Sequence, residues 1–192
     1  MLYATLLIKE ELYDDAIIVL EKNMEVIKPA WRRSKVHFLL GQIYDMRGAF
    51  TEAYENYKRV VRLNTNDELT FKAQLNIAAL YVKYQPEDAP SGFVVQLLKD
   101  MLKDKKYEQY KDQIYYQFAM IRKKERKFDE AIELFRESIA FNSDNNIQLT
   151  RSYYEAGRTF FYDLQQLDSA QYYFSKAAEV ATKEFEDYTL LQ

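Results

Sequence analysis

The chain has 192 residues, no cysteine, 48% hydrophobic residues and a formal net charge of −3 at pH 7. Disulfides, thiolate metal sites and thiol nucleophiles are therefore excluded, the acidic balance argues against a nucleic-acid-binding surface, and enough apolar side chain remains for a continuous core. Four glycines and three prolines are too few to turn an all-β chain, so with 30% charged residues the sequence reads as helical.

The opening stretch, MLYATLLIKEELYDDAIIVL, has no basic leader followed by a cleavable apolar run, and no later stretch reaches the roughly 18 apolar residues of a membrane span. It predicts a helix to about Lys9 and a second from Tyr13 to about Ile27, with Leu6 and Ile8 short of neighbours on one side. The chain thus starts inside a helical pair and reads as a piece of a longer protein. Pro29 ends this pair, because its ring cannot continue a helix and restricts the residue before it.

The clearest unit runs from Trp31 to Asn64. His37, Leu40, Gly41 and Tyr44 stripe a first helix, and Ala53, Tyr57 and Val60 stripe a second. Between them Arg47-Gly48-Ala49 offers a glycine that can take the left-handed conformation ending a helix. Gly41 and Ala53 are the small residues expected at a close crossing. Asp67-Glu68 then opens a helix striped by Phe71, Leu75, Ala78 and Tyr81, with its carboxylates at the positive end of the dipole. The stretch from 84 to 92 holds Pro86, Pro90 and Gly92 and reads as an insertion, after which Val94, Leu98 and Met101 mark a degenerate second helix.

A fourth pair carries Tyr115, Phe118 and Ala119, a charged turn from Arg122 to Lys127, then Phe128, Ala131, Phe135 and Ser138. A fifth carries Tyr153, Ala156, Gly157 and Phe160, then Leu167, Ala170, Phe174 and Ala177, with one extra residue expected in its turn. Ala16, Ala53, Ala131 and Ala170 recur at a period slightly under 40 residues. The expected repeats are about 1–28, 31–65, 67–105, 108–143 and 147–183, forming one domain over 1–192.

The order large residue, Leu-Gly, Tyr, then Ala, aromatic, small resembles the tetratricopeptide repeat, with His37 where that repeat has Trp and Thr65 where it often has Pro. The resemblance implies an all-α fold, an α-solenoid of about five helical hairpins in a right-handed superhelix, whose first helices line a concave surface that holds other polypeptides. Carrying the register across places Phe38, Gln42 and Asp45 inward in the second repeat, and Leu75, Ala79 and Val82 in the third. Tyr116, Met120 and Lys123 follow in the fourth, then Tyr154, Arg158 and Phe161 in the fifth. Aromatics, an Arg and amides are the residue types that dominate interface energetics. Seventeen Tyr and twelve Phe supply many of them.

Chemistry is not expected. His37, the single histidine, holds a core position; the sequence has no phosphate loop, nucleophile elbow or paired-ligand spacing, so no catalytic residue, cofactor or metal is assigned. Asp14-Asp15 and Glu10-Glu11 read as solvated acids near helix ends, and the basic runs at Lys99–Lys106 and Arg122–Lys127 as helix C-termini. Phe38 and Gln42 stand where a carboxylate-clamping repeat would carry Lys and Asn, while Asn76 and Arg151 leave such a clamp open.

FLLGQIYDMRGAFTEAYENYKRVVRLN, ELTFKAQLNIAALY, LLKDMLKDKKYEQYKDQIYYQFAMI and AQYYFSKAAEV also resemble the repeat lipoproteins of the Bacteroidetes gliding-motility and type IX secretion apparatus, the SprE/PorW kind. KYEQYKDQIYY is the most specific of these, since generic repeat packing does not require it. This resemblance implies a non-enzymatic scaffold on the periplasmic face of the outer membrane, bridging components of a secretion complex without a membrane span of its own. Two alternatives remain open: a cytosolic adaptor for a peptide or chaperone tail, and the docking region of a larger enzyme.

Overall fold

The computed structural model describes residues 2–85, 90–142, 144–185 and 187. Ten α-helices lie among them, in two compact units, Met1–Gln85 and Pro86–Gln192. The first unit holds α1 (Leu2–Lys9), α2 (Tyr13–Val26), α3 (Ala30–Met46), α4 (Phe50–Leu63) and α5 (Asp67–Tyr84). The second holds α6 (Gly92–Lys103), α7 (Lys111–Lys124), α8 (Phe128–Ala140), α9 (Asn146–Arg158) and α10 (Leu167–Val180). Within each unit successive helices pack as side-by-side hairpins, the arrangement of an α-solenoid. Residues 86–89 of the expected insertion, and Ser143 of the polar loop after α8, lie outside the described residues.

Each tight hairpin turns in the same way. Glu11, Gly48, Arg126 and Gln165 all have positive φ, at 58°, 73°, 61° and 55°. Each stands five residues before one of the recurring alanines Ala16, Ala53, Ala131 and Ala170. At Gly48 the following N–H, from Ala49, reaches back to the Tyr44 carbonyl at 2.8 Å, and Lys127 does the same to Arg122 at 2.9 Å. These are Schellman closures, which satisfy carbonyls orphaned at the helix end. Only one of the four positions uses the residue best suited to it. The repeat therefore imposes the left-handed turn even on Glu, Arg and Gln, at a cost of about 1–2 kcal/mol each.

The recurring alanines are buried, Ala16, Ala53 and Ala131 with no exposed surface and Ala170 with 1%. Gly41 has a more specific task than the spacing to Ala53 implied. A Cβ placed on it would lie 2.7 Å from the Tyr57 ring, so the glycine makes room for an aromatic side chain of α4. Gly157 does the same for Phe174 of α10, with an added Cβ at 2.8 Å. Ala119 and Ala131 sit together in the core shared by α7, α8, α9 and α10.

Two sequence expectations are corrected here. The extra residue of the fifth repeat is not in its turn: α9 runs on through one π-helical turn, Thr159–Asp163, where Leu164 N–H bonds the Thr159 carbonyl, and the left-handed residue keeps its five-residue distance from Ala170. Leu167 is not a core residue but 64% exposed, because it begins α10 on the solvent side, and Tyr173 (7% exposed) fills the core instead.

KYEQYKDQIYY also has structural work. Lys105–Tyr110 forms a 3₁₀ turn leading into α7, which buries Tyr107. Asp112 is 2% exposed, accepting from Gln113 N–H at 2.8 Å and from Asn142 Nδ2 at 3.0 Å. Its main-chain carbonyl accepts from Ser138, whose hydroxyl also meets that of Ser152. Packing in the second unit thus requires part of this string after all.

Candidate protein-binding site

The inner face of the first unit is built by its first helices. Ile8 of α1, Leu39, Gln42, Asp45 and Met46 of α3, Tyr57 of α4 and Asn76 of α5 surround a cavity of about 340 Å³. Two of the expected residues, Gln42 and Asp45, are therefore brought together. Gln42 is exposed and Asp45 half-buried. Lys83 Nζ donates to Asp45 Oδ1 at 2.9 Å, and the Tyr84 hydroxyl lies 2.6 Å from the Asp45 carbonyl oxygen and 2.9 Å from Oδ1. Those α5 contacts hold the carboxylate in place at one end of the cavity.

Tyr57 forms the floor. It is 1% exposed, meets Phe38 edge-on at 5.7 Å and hydrogen-bonds the Asn76 amide, while burial pushes its hydroxyl well above the usual phenol range. Phe38 is thereby committed to packing. Leu75 is 8% exposed and belongs to the core, and Ala79 and Val82 are half-buried on α5.

Ile8, Leu39 and Met46 were not expected here, and Asn76 was singled out only as a residue that a carboxylate clamp could use. Its groove register could have been read from its distance to Gln42, one standard 34-residue repeat. The longer local period instead directed attention to Ala79. Met46, 52% exposed at the end of α3, had no sequence signal beyond its helical position.

The matching face of the second unit is filled differently. Tyr116 packs on Phe135 at 5.9 Å, and Tyr154 on Phe174 and Phe185 at 5.8 and 5.6 Å. Met120 is half-buried against the core. Lys123 Nζ lies 2.9 Å from Glu155, which also receives Arg158 at 2.8 Å. Phe161 is 45% exposed in the π-helical turn, edge-on to Tyr162 at 4.9 Å.

His37 is 5% exposed, and its Nδ1 lies 2.9 Å from Asn56 Oδ1. The Asn56 amide donates to the Glu52 carbonyl, so the imidazole is the donor to Oδ1. Burial, then Arg59 and Arg33, hold its pKa below the usual histidine range, against the Asn56 bond that raises it. Among the described residues, no group of three or more His, Asp or Glu could hold a metal ion, and no helix is long and apolar enough to cross a membrane.

Comparison with known proteins agrees with this architecture. The family model of the tetratricopeptide repeat matches residues 34–67 and 112–145, the hairpins α3–α4 and α7–α8. The tetratricopeptide-repeat family is supported by that match and by solved structures of the same fold. MamA from Desulfovibrio magneticus RS-1 superposes with a TM-score of 0.63 at 14% identity, covering 93% of this chain and 90% of that one. BtubC from P. vanneervenii gives 0.71 at 14%, covering 92% and 76%. YrrB, described as a TPR protein with an unusual peptide-binding site, gives 0.57 at 17%, covering 95% and 84%. A search of curated proteins returns no match to this chain.

Proposed function

We propose that the protein is a non-enzymatic interaction scaffold and that the inner face of its first unit binds an extended segment of another protein. The supporting observation is the cavity at Gln42, Asp45 and Asn76. Two amides can pair with the N–H and C=O of an extended backbone, and Ile8, Leu39 and Met46 offer apolar contact beside them. Among the described residues no Lys or Arg lines this cavity, and Asp45 is its one carboxylate. It suits an internal, apolar or basic segment and disfavours a C-terminal carboxylate. The peptide-binding site of YrrB, a neighbour in fold, is consistent with this use of the architecture.

We further propose that the partner belongs to a protein secretion or gliding-motility assembly and that the protein works at the periplasmic face of the outer membrane. Support comes from the segment resemblances, KYEQYKDQIYY included. Fractionation of cells expressing the native gene tests the location, and cytosolic recovery would favour the adaptor alternative. For the binding site, peptides selected from a random display library on the chain should be apolar or basic in their centre. They should lose at least about tenfold in affinity to the Gln42→Ala/Asn76→Ala variant, equivalent to about 1.4 kcal/mol. Selection of sequences that require a free C-terminal carboxylate would refute it.

A further inference from the structure

A cavity of about 380 Å³ lies on the other side of α3 from the inner face of the first unit. At 3.6 residues per turn, His37, Leu40 and Tyr44 fall within about 60° of one another and roughly opposite Gln42 and Met46. These three form its floor, Glu21 and Met24 of α2 one wall, and Glu52, Glu55 and Arg59 of α4 the other. It shares no residue with the cavity at Gln42, Asp45 and Asn76. The floor holds an open acceptor. His37 is 5% exposed and donates through Nδ1 to Asn56 Oδ1, which leaves Nε2 with a lone pair and no partner among the described residues. That nitrogen is not sealed in: the fully buried side-chain atoms without a partner, among the described residues, are Ser34 Oγ and Thr182 Oγ1. Nε2 therefore reaches the cavity. Burial, then Arg59 and Arg33, disfavour its protonation against the Asn56 bond, so near neutral pH it accepts a hydrogen bond and donates none.

The walls carry more negative than positive charge. Glu21 accepts from the Tyr44 hydroxyl at 3.2 Å but meets no cation at ion-pair distance among the described residues, and neither does Glu52. Glu55 is joined to Lys58 at 3.3 Å, and Arg59 is the one cation of the lining, so three carboxylates face one guanidinium. Arg59 and Arg33 act on His37, whereas Glu21 and Glu52 act on Tyr44, and Arg47 beside Tyr44 is paired with Asp14. The unpaired carboxylates thus gather at the Tyr44 end. Met24 and Leu40 add apolar surface between the walls. Arginine has the matching chemistry: a planar fork that meets carboxylates through parallel bonds, on a stem that packs along apolar side chains.

We propose that this cavity docks an arginine-containing segment of a partner protein, with the guanidinium held by Glu21 and Glu52, its stem on Met24 and Leu40, and an N–H of the same segment donated to His37 Nε2. The single histidine makes the site its own reporter. With the histidine ring isotope-labelled and the chain held at about pH 7.5, a peptide repeating Arg-Ala-Ala should move the Nε2 NMR signal saturably while Nδ1 stays protonated. The midpoint should rise as salt is added. Glu21→Gln/Glu52→Gln, at two exposed positions, should raise it at least about tenfold, and a Lys-Ala-Ala peptide should bind more weakly than the arginine one. Gln42→Ala/Asn76→Ala should leave the Nε2 response unchanged, so binding here is independent of the inner face. A silent Nε2 signal while the Gln42 and Asn76 amides shift, an unchanged midpoint in the double glutamate variant, an equal response to Lys-Ala-Ala or Glu-Ala-Ala, or a response lost in the inner-face variant would each overturn the proposal.

Discussion

In the first unit the inward positions leave a cavity edged by amides, whereas in the second the equivalent positions are closed by stacked aromatics and by the Lys123, Glu155 and Arg158 ion pairs. Both units nevertheless share the same joint, a glycine of the first helix against an aromatic ring of the second: Gly41 with Tyr57, and Gly157 with Phe174. The repeat thus constrains how two helices meet and leaves free what they present to the inner face. A difference of side chain at the same register separates a face that can receive a ligand from one that satisfies itself.

The joint should be the costliest place to alter. Gly41→Leu and Gly157→Leu each drive a side chain into a ring that lies within 3 Å of the new Cβ. Each is expected to lose about 1–3 kcal/mol in urea unfolding. A neutral result at either one would break the equivalence of the two hairpins. Next comes the self-satisfied face: Lys123→Met strips a cation from Glu155, whose side chain is 11% exposed, and should cost about 1–2 kcal/mol. Gln42→Ala, at the open face, should stay within about 0.5 kcal/mol. Equal costs would remove the contrast between the faces.

The turns give a smaller and oppositely signed pair. Arg126→Gly, at φ 61°, should gain about 0.5–1 kcal/mol, while Gly48→Ala, at φ 73°, should lose about 1 kcal/mol. Thermal melts of the two variants read both. The smallest effect is that of His37. Its folded pKa is lowered, so the unfolded chain takes up the proton first, and stability present above the ordinary value of about 6.5 declines as pH falls through it. His37→Phe should show less of this decline than the wild type when unfolding is compared at about pH 7.5 and about pH 5.

Helix type and hairpin pairing were legible because small and aromatic residues recur at fixed steps, and the stripes through Ala53, Tyr57 and Val60 or Phe71, Ala78 and Tyr81 are all buried. The π-helical turn was not legible, since one added residue can be absorbed either in a loop or in a helix without changing the pattern. The left-handed turns at Glu11, Arg126 and Gln165 were hidden because none is a glycine. For the site, the register pointed to Gln42 and Asp45, and both line the cavity. It could not tell that Phe38, Tyr116 and Tyr154 would turn onto their own hairpins, because whether a ring faces a ligand or a neighbouring helix depends on the partner residues Tyr57, Phe135 and Phe174.

The most direct measurement is an NMR titration of the chain with a display-selected peptide, following the side-chain amides of Gln42 and Asn76. Saturable shifts at these two groups, with the Arg158 side-chain signals unmoved, are the predicted result. Shifts confined to Arg158 and the aromatics around Tyr154, with both amides silent, would contradict the assignment of binding to the first unit.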